Sequence, residues 1–371
     1  MQNSSEEVCR WAILSTAEIA KKNWRAIAVN DNSTLVAVAS RSLRSAEAFI
    51  AACQKQYPQT QVPIAVEGYD AILKRPDINA VYIPLPTALR GEWIRKAIEA
   101  GKHVLAEKPA GLDAAEVRSL IDMATARGVQ YMDGVMFMHS SRMPKLRQVL
   151  DDGTSVGKLK RIATHFSFQG DDAFKKSNIR TMSQYEPFGC VGDLAWYNVR
   201  LILWAKHFEM PSFVSGRILA SLQGEGSPKS VPGEFSGELI YDDGFSASFY
   251  CSFLTENQQW AHISGDRGHL TIRDFVLPHY GCEASFEVGH TIFNVHGCDF
   301  QMREHLQRHS VIEYSEGRMG AQEVAMIHAF SQLAMGGQPD PKWGEITWAT
   351  QRVLDALVES ALQASRPVAL K

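Results

Sequence analysis

The 371-residue sequence has little net charge, no long apolar run and no paired-cysteine motif, and each absence removes a class of function. Thirty-eight lysines and arginines stand against 41 aspartates and glutamates, a formal charge of −3. A nucleic-acid binder normally carries a clear basic excess, so no nucleic-acid partner is expected. No apolar stretch approaches the ~18 residues of a membrane-spanning helix, so no membrane partner is expected either. The six cysteines, at 9, 53, 190, 251, 282 and 298, include no C-x-x-C pair. They read as thiols of a reducing compartment rather than a disulfide framework or zinc ribbon. Residues 1–7, Met-Gln-Asn-Ser-Ser-Glu-Glu, have no basic or apolar leader region. The expectation is a cytoplasmic protein. There is no G-x-x-x-x-G-K-[ST], no G-x-S-x-G and no H-E-x-x-H, which leaves P-loop, serine-hydrolase and zincin chemistry without support. His305 and His309, four apart as on one helix face, lack the glutamate of that last motif, and 296–299 reads as a polar loop. No metal site is expected.

What is present is 45% hydrophobic sequence, enough for two cores at ~100–200 residues per domain. The first third alternates short apolar runs with amphipathic stretches. Strands are predicted at 11–14, 35–39, 80–83, 104–106 and 129–132, with helices at 17–28, 45–53 and 93–99. A further helix is opened by Asp113, with Glu116 three residues on as in a capping box. Its apolar positions Val117, Leu120, Ile121 and Ala124 share one face. Apolar strands alternating with helices predict a doubly wound parallel sheet covered on both faces.

After about residue 150 the pattern changes. Residues 159–168 read as a strand. Hairpins are predicted at 238–253, with an Asp-Gly turn, and at 262–272, with a third from 284–288 and 291–295. Helices near 323–335 and 348–364 close the chain. The expected class is therefore a Rossmann domain followed by an α+β domain built on an open antiparallel sheet, with limits of 1–135 and 136–371.

A dinucleotide fingerprint G-x-G-x-x-G would fall after the first strand, where its glycines permit a tight turn and close approach to pyrophosphate. The sequence there is Ser15-Thr16-Ala17-Glu18-Ile19-Ala20: the spacing is kept and the glycines are not. After the second strand stands Ser40-Arg41-Ser42 with no nearby acid. A guanidinium beside hydroxyls suits a 2′-phosphate, so NADP(H) is the expected cofactor, with NAD(H) possible. The alternative is that Arg41 is a solvated loop cation.

Two further stretches carry a resemblance. One is Ile83-Pro84-Leu85-Pro86-Thr87, followed by Gly101-Lys102-His103-Val104-Leu105-Ala106-Glu107-Lys108-Pro109. The other is Asn178-Ile179-Arg180, followed by Gly189-Cys190-Val191-Gly192-Asp193-Leu194-Ala195-Trp196-Tyr197. With Arg10–Leu14, they make the chain resemble the Gfo/Idh/MocA family of oxidoreductases over nearly its whole length, and more narrowly its dihydrodiol dehydrogenase-like branch. The resemblance implies hydride transfer between NAD(P) and a sugar, polyol or related cyclic alcohol. It also implies a homodimer or higher homo-oligomer that uses the open sheet. Lys108 matches the family's catalytic lysine, Tyr197 its acid/base tyrosine and Asp193 the aspartate of the same motif. Arg180 matches the substrate-side arginine and Arg41 the phosphate-binding position. Ser15, Thr16, Ala17 and Ile19 match the turn, Ser40 and Ser42 flank Arg41, and Leu85, Pro86, Thr87 and Glu107 match cofactor-lining positions. The departures are the missing fingerprint glycines, Gly189-Cys190-Val191 for a triple glycine, Ala195 for a glycine, and Arg90 for a histidine.

The chemistry explains these residue types. Oxidising an alcohol needs a base for the hydroxyl proton, and a phenol near its reference pKa of ~10 is a poor one at neutral pH. A neighbouring ammonium favours the phenolate. Each assignment has a plainer alternative: Lys108 as a surface lysine, Tyr197 as core, Asp193 as the N-cap of the following helix. A non-catalytic dinucleotide- or sugar-binding protein of the same fold is the second functional reading, motivated by the altered turn.

Overall fold

A computed structural model of the chain describes residues 8–370. The acidic segment 1–7 read above lies outside the described residues. The chain divides into two units. One holds the chain up to His139 together with Gln184–Pro187 and Glu316–Arg352, and the other holds Ser140–Ser183, Phe188–Ser315 and the chain from Val353 on. Residues 316–352, expected in the C-terminal domain, therefore pack with the N-terminal one. Periodicity identified their helices but carries no information on which core they join.

The first unit runs β1 (Cys9–Leu14), α1 (Glu18–Val29), β2 (Ser33–Ser40), α2 (Leu43–Gln56), β3 (Ile64–Glu67), α3 (Tyr69–Leu73), β4 (Ala80–Ile83), α4 (Thr87–Glu99), β5 (His103–Ala106), α5 (Ala114–Arg127) and β6 (Tyr131–Asp133). The strands form one parallel sheet in the order β3-β2-β1-β4-β5-β6. This is the doubly wound architecture the alternating pattern predicts, with its reversal at β1 and β4, where such sheets bind ligands beyond the strand ends. β3 and α3 escaped the sequence reading: β3 is a half-exposed edge strand whose apolar run, Ile64-Ala65-Val66, is only three residues long. Asp113 caps α5 by accepting from the Glu116 amide (2.8 Å), while the Glu116 carboxylate accepts from Leu112 rather than from the cap residue. Trp11 is fully buried, donates to Ser331 Oγ (3.0 Å) and stacks obliquely on Phe330, both from the late helix α9 (Gln322–Met335).

The second unit contains α6 (Arg142–Asp151), β7 (Leu159–Gln169), α7 (Asp172–Ser177), α8 (Trp196–Ala205) and strands β8 (Phe213–Leu222), β9 (Val231–Ile240), β10 (Ser246–Ser252), β11 (Leu254–Gly265), β12 (His269–Ile272), β13 (Glu283–His296), β14 (Asp299–Ile312) and β15 (Val368–Ala369). They form a nine-stranded sheet in the order β14-β13-β12-β11-β7-β10-β9-β8-β15. The β9–β10 and β11–β12 hairpins fall where the sequence places them. All pairings are antiparallel except β7 with β10.

The third hairpin needs correction. Residues 284–295 belong to one strand, β13, and the turn comes at Gly297 (φ +61°), after which β14 pairs along its whole length. Gly289 passes for a turn glycine in the sequence but lies inside the strand, packed against the His269 ring. His305 and His309 consequently lie on a strand, not a helix. The final long helix, α10 (Lys342–Leu362), spans the division between the units.

His103 of β5 accepts the Gln130 amide at Nδ1 (2.9 Å). Burial holds its pKa below the ordinary 6.5, and burial does the same for His165, His262 and His309. A depressed pKa keeps these rings neutral in the fold while the unfolded chain takes up protons below about pH 6.5. Stability is therefore complete above that pH and declines as the pH falls below it. Urea unfolding across this range should show the decline. His103→Asn, whose Oδ1 can take the same amide, should lessen it while the other three histidines keep the remainder, and a pH-independent wild type would contradict the assignment.

Candidate active site

In the N-terminal unit the turn after β1 keeps a glycine's backbone without a glycine. Ser15 has φ 151°, a region that side-chain-bearing residues rarely occupy. Its Oγ accepts the Ala17 amide (3.1 Å), which leaves the hydroxyl proton available to an outside acceptor. Ala17 is the N-cap of α1 and offers no side-chain acceptor, so no side chain caps the first turn, where the Ala20 amide turns back to the Ala17 carbonyl (2.9 Å). The other main helices of this sheet differ. Ser42 caps α2, Asp113 caps α5, and the Glu186 carboxylate covers the start of α4. An uncapped helix start directly after the central strand is an anion site of the kind a pyrophosphate fills. Thr16 is half-buried and Ile19 is exposed beside this turn.

At the end of β2, Ser40 is buried, Arg41 is exposed, and Ser42 lies between them in exposure. Ser42 has a structural task as N-cap, accepting from the Ser45 amide (3.3 Å). Arg41 lies near Tyr69, where its charge opposes the burial that raises the phenol's pKa. Residues from β2 and from the β3–α3 turn thus meet at one corner, the amide of Gly68 donating to the Ser40 carbonyl (2.8 Å).

At the ends of β4 and β5, Leu85, Pro86 and Thr87 are joined to the Glu107-Lys108-Pro109 segment by Arg90. This buried guanidinium donates to the Leu85 carbonyl through Nε (3.0 Å) and Nη2 (2.6 Å) and to the Pro109 carbonyl through Nη1. The Lys108-Pro109 peptide is cis. Thr87 is fully engaged: its amide and hydroxyl donate to the two carboxylate oxygens of Glu186 (3.0 and 2.5 Å), and it is 1% exposed. Its bonds to Glu186 tie the start of α4 to residue 186. Glu107 Oε1 accepts from the Tyr82 hydroxyl (2.6 Å), which also bonds the buried Asn23 side chain. Burial and the Glu107 charge push the Tyr82 phenol's pKa well up, so Tyr82 remains a donor. Tyr82, Asn23 and Glu186 were absent from the sequence reading. No local pattern marks them, since Glu186 lies 99 residues from Thr87.

In the C-terminal unit, Arg180 Nε donates to Asp193 Oδ2 at 2.8 Å, uniting two candidates thirteen positions apart. Asp193 is not an N-cap. It sits within a π-helical turn, Val191–Ala195, that leads into α8. Such turns widen a helix and recur at functional positions. Gly189 (φ +49°) is required: a Cβ there would lie 2.2 Å from the Pro232 carbonyl. Cys190 and Val191, which replace glycines, are buried, and Cys190 Sγ lies 3.8 Å from Cys251 Sγ. Tyr197, near the start of α8, is 7% exposed and packs edge-to-face on Phe166 (5.6 Å). Among the described residues, no group of three or more His, Cys, Asp or Glu side chains could hold a metal, and no helix is long and apolar enough to cross a membrane.

Comparison with known proteins gives two family matches. Residues 9–135 match the oxidoreductase family with an NAD-binding Rossmann fold, and residues 143–271 match the GFO/IDH/MocA C-terminal domain. The chain is 37% identical over 193 residues to a dTDP-3,4-didehydro-2,6-dideoxy-α-D-glucose 3-reductase of Streptomyces violaceoruber, covering 52% of this chain and 53% of that one. It is 30% identical over 274 residues to the trans-1,2-dihydrobenzene-1,2-diol dehydrogenase of Mus musculus, covering 72% and 76%. Thus the chain spans about half the length of the first relative and three quarters of the second. A 3-ketoreductase from Actinomadura kijaniata, solved with NADP and TDP-benzene, has the same fold, with a TM-score of 0.78 over 95% of this chain and 98% of that one at 22% identity. Its solved forms include variants changed at one tyrosine and at one lysine.

Arg90→Met retains bulk and removes the fork. It strands buried carbonyls, and a buried acceptor without a donor costs ~1–3 kcal/mol. Urea unfolding should show a loss of about 2 kcal/mol that Arg90→Lys recovers poorly, because an ammonium cannot reproduce the planar fork. Unchanged stability in Arg90→Met would contradict the clamp.

Proposed function

The chain belongs to the Gfo/Idh/MocA family of oxidoreductases, and from that membership we propose that it is an NADP(H)-dependent enzyme acting on a hydroxyl or carbonyl carbon of a sugar, polyol or related cyclic alcohol. The observation that carries this reading is the glycine-like turn at Ser15 leading into the uncapped start of α1. Backbone amides that no side chain satisfies fit a pyrophosphate, and Ser15 can add its hydroxyl proton. The altered sequence of this turn motivated a non-catalytic reading. Because the turn keeps its conformation, the enzyme reading is favoured.

Arg41 is proposed to pair with the 2′-phosphate, its exposed guanidinium steadied at the β2–β3 corner. When bound, the nicotinamide supplies a carbon that takes or returns the hydride. The chain's own residues manage the proton. Tyr197 exchanges it with the substrate oxygen, and Lys108 supplies the positive charge that favours the phenolate and donates to the same oxygen. Asp193 and Arg180, held together as an ion pair, orient the substrate's other hydroxyls. The proposal includes a cytoplasmic homo-oligomer, and the six free cysteines suit a reducing compartment.

Purified protein titrated with NADPH should show cofactor binding by fluorescence, followed by turnover on a panel of sugars, keto-sugars and dihydrodiols. Lys108→Ala and Tyr197→Phe should retain NADPH binding and lose turnover by ~10²–10⁴-fold, the range for a positioned acid–base group. Arg41→Ala should weaken NADPH by ~10–100-fold while sparing NADH, the value of a charge-assisted contact. Wild-type turnover in both catalytic variants would remove the assigned roles. Binding without turnover on any substrate would favour the non-catalytic reading.

A further inference from the structure

The β13–β14 hairpin is the least covered part of the second unit. β14 ends the nine-stranded order, so its outer row of amides and carbonyls has no strand beside it among the described residues. It runs for 14 residues, and its register with β13 is unbroken from Glu283↔Ile312 to His296↔Asp299. Natural edge strands are usually shortened, bulged or interrupted by proline to prevent pairing with another chain. β14 is neither short nor bulged and has no proline, and the charges it carries, Asp299, Arg303, Glu304 and Arg308, are of both signs. It also exposes large apolar side chains: Phe300 is 71% exposed, Met302 72%, Leu306 56% and Ile312 79%. With a side-chain period of two, Phe300, Met302, Glu304, Leu306 and Arg308 all lie on one face of the strand, with Ser310 and Ile312.

We propose that β14 pairs antiparallel with β14 of a second copy of this chain, about a twofold axis through Leu306. The sequence of the strand is self-complementary about that residue. Leu306 then stands opposite Leu306 of the copy, and Phe300 opposite Ile312. Glu304 stands opposite Arg308 twice, once on each side of the axis. Other centres are worse. An axis at 304 sets Glu304 against itself, and one at 308 sets Arg308 against itself. Axes at 305 and 307 put Arg308 against Met302 and Leu306 respectively. Directly opposed like charges oppose strand pairing and opposite charges favour it. On the reverse face the chosen axis sets Arg303 against His309. Burial against Phe286 and the Lys145 charge keep that imidazole neutral, so no repulsion results. In the single chain Arg308 turns back to Glu283 (2.6 Å), and Glu304 reaches only His269, at 4.0 Å. Both charges remain more than half exposed and within reach of a copy alongside. An isologous contact of this kind closes on itself and joins two sheets into one. It uses the sheet's edge and leaves its broad face open for another contact.

The test reads molecular mass and proximity in the full chain and is independent of activity. Its failure is therefore distinct from failure of the enzymatic reading. Because the axis passes through Leu306, Leu306→Cys in a Cys282→Ser/Cys298→Ser background should form a disulfide-linked dimer under a mild thiol oxidant. Gln301→Cys, placed far from its own copy, should not. Glu304→Arg sets four arginines around the axis and should raise the concentration needed for self-association by about tenfold in sedimentation equilibrium. The double variant Glu304→Arg/Arg308→Glu should restore it. All six substituted positions are exposed, so folding is not at stake, and unchanged melting curves should bear this out. A monomeric wild type, an uncrosslinked Leu306→Cys, or association indifferent to Glu304→Arg would overturn the proposal.

Discussion

A single buried guanidinium holds together the carboxyl edge of the parallel sheet. Strands that end side by side leave carbonyls pointing past the sheet, and a buried carbonyl must find a donor. Arg90 answers two of them from one turn of α4, the carbonyls of Leu85 and Pro109, with Thr87 Oγ1 at 3.4 Å. A planar fork does this where an imidazole or an ammonium cannot, because its donors diverge at fixed angles. The consequence is that the segments after β4 and β5, one bearing Leu85 and the other Lys108, are joined at one corner. Glu186 completes it by covering the start of α4, so of α1, α2, α4 and α5 it is α1 that begins without a side-chain partner.

The same economy appears where the family pattern is altered. Ser15 adopts a conformation suited to glycine and uses its own oxygen to hold the turn. Cys190 fills space that a glycine would leave, packed against Cys251, while Gly189 stays because the Pro232 carbonyl leaves no room for a Cβ. Asp193 is moved off the helix start into a π-helical turn, which frees its carboxylate for Arg180.

The sequence errors cluster at features set by long-range packing. β3 has a three-residue apolar run, Ile64-Ala65-Val66, but it lies at the half-exposed edge of the sheet and was passed over. Gly289 looks like a turn residue because glycine suits turns, yet it lies in a strand because the His269 ring needs its vacant face. The Glu186 carboxylate that holds Thr87 went unread because it lies 99 residues away.

Local regularities were legible from the amino acids alone. The apolar periods that make β1, β4 and α5, the Asp113 cap and the two tight hairpins depend on neighbours within a few residues. So does the Glu107-Lys108-Pro109 segment that points to the family. The pairing of Arg180 with Asp193, the Asn23–Tyr82–Glu107 chain and the Arg90 clamp exist only once distant segments are brought within hydrogen-bond reach. The assignment of α9 to the first core and the exposed edge of β14 have the same origin. Such contacts are decided by which surfaces pack together, and that is a property of the folded chain as a whole.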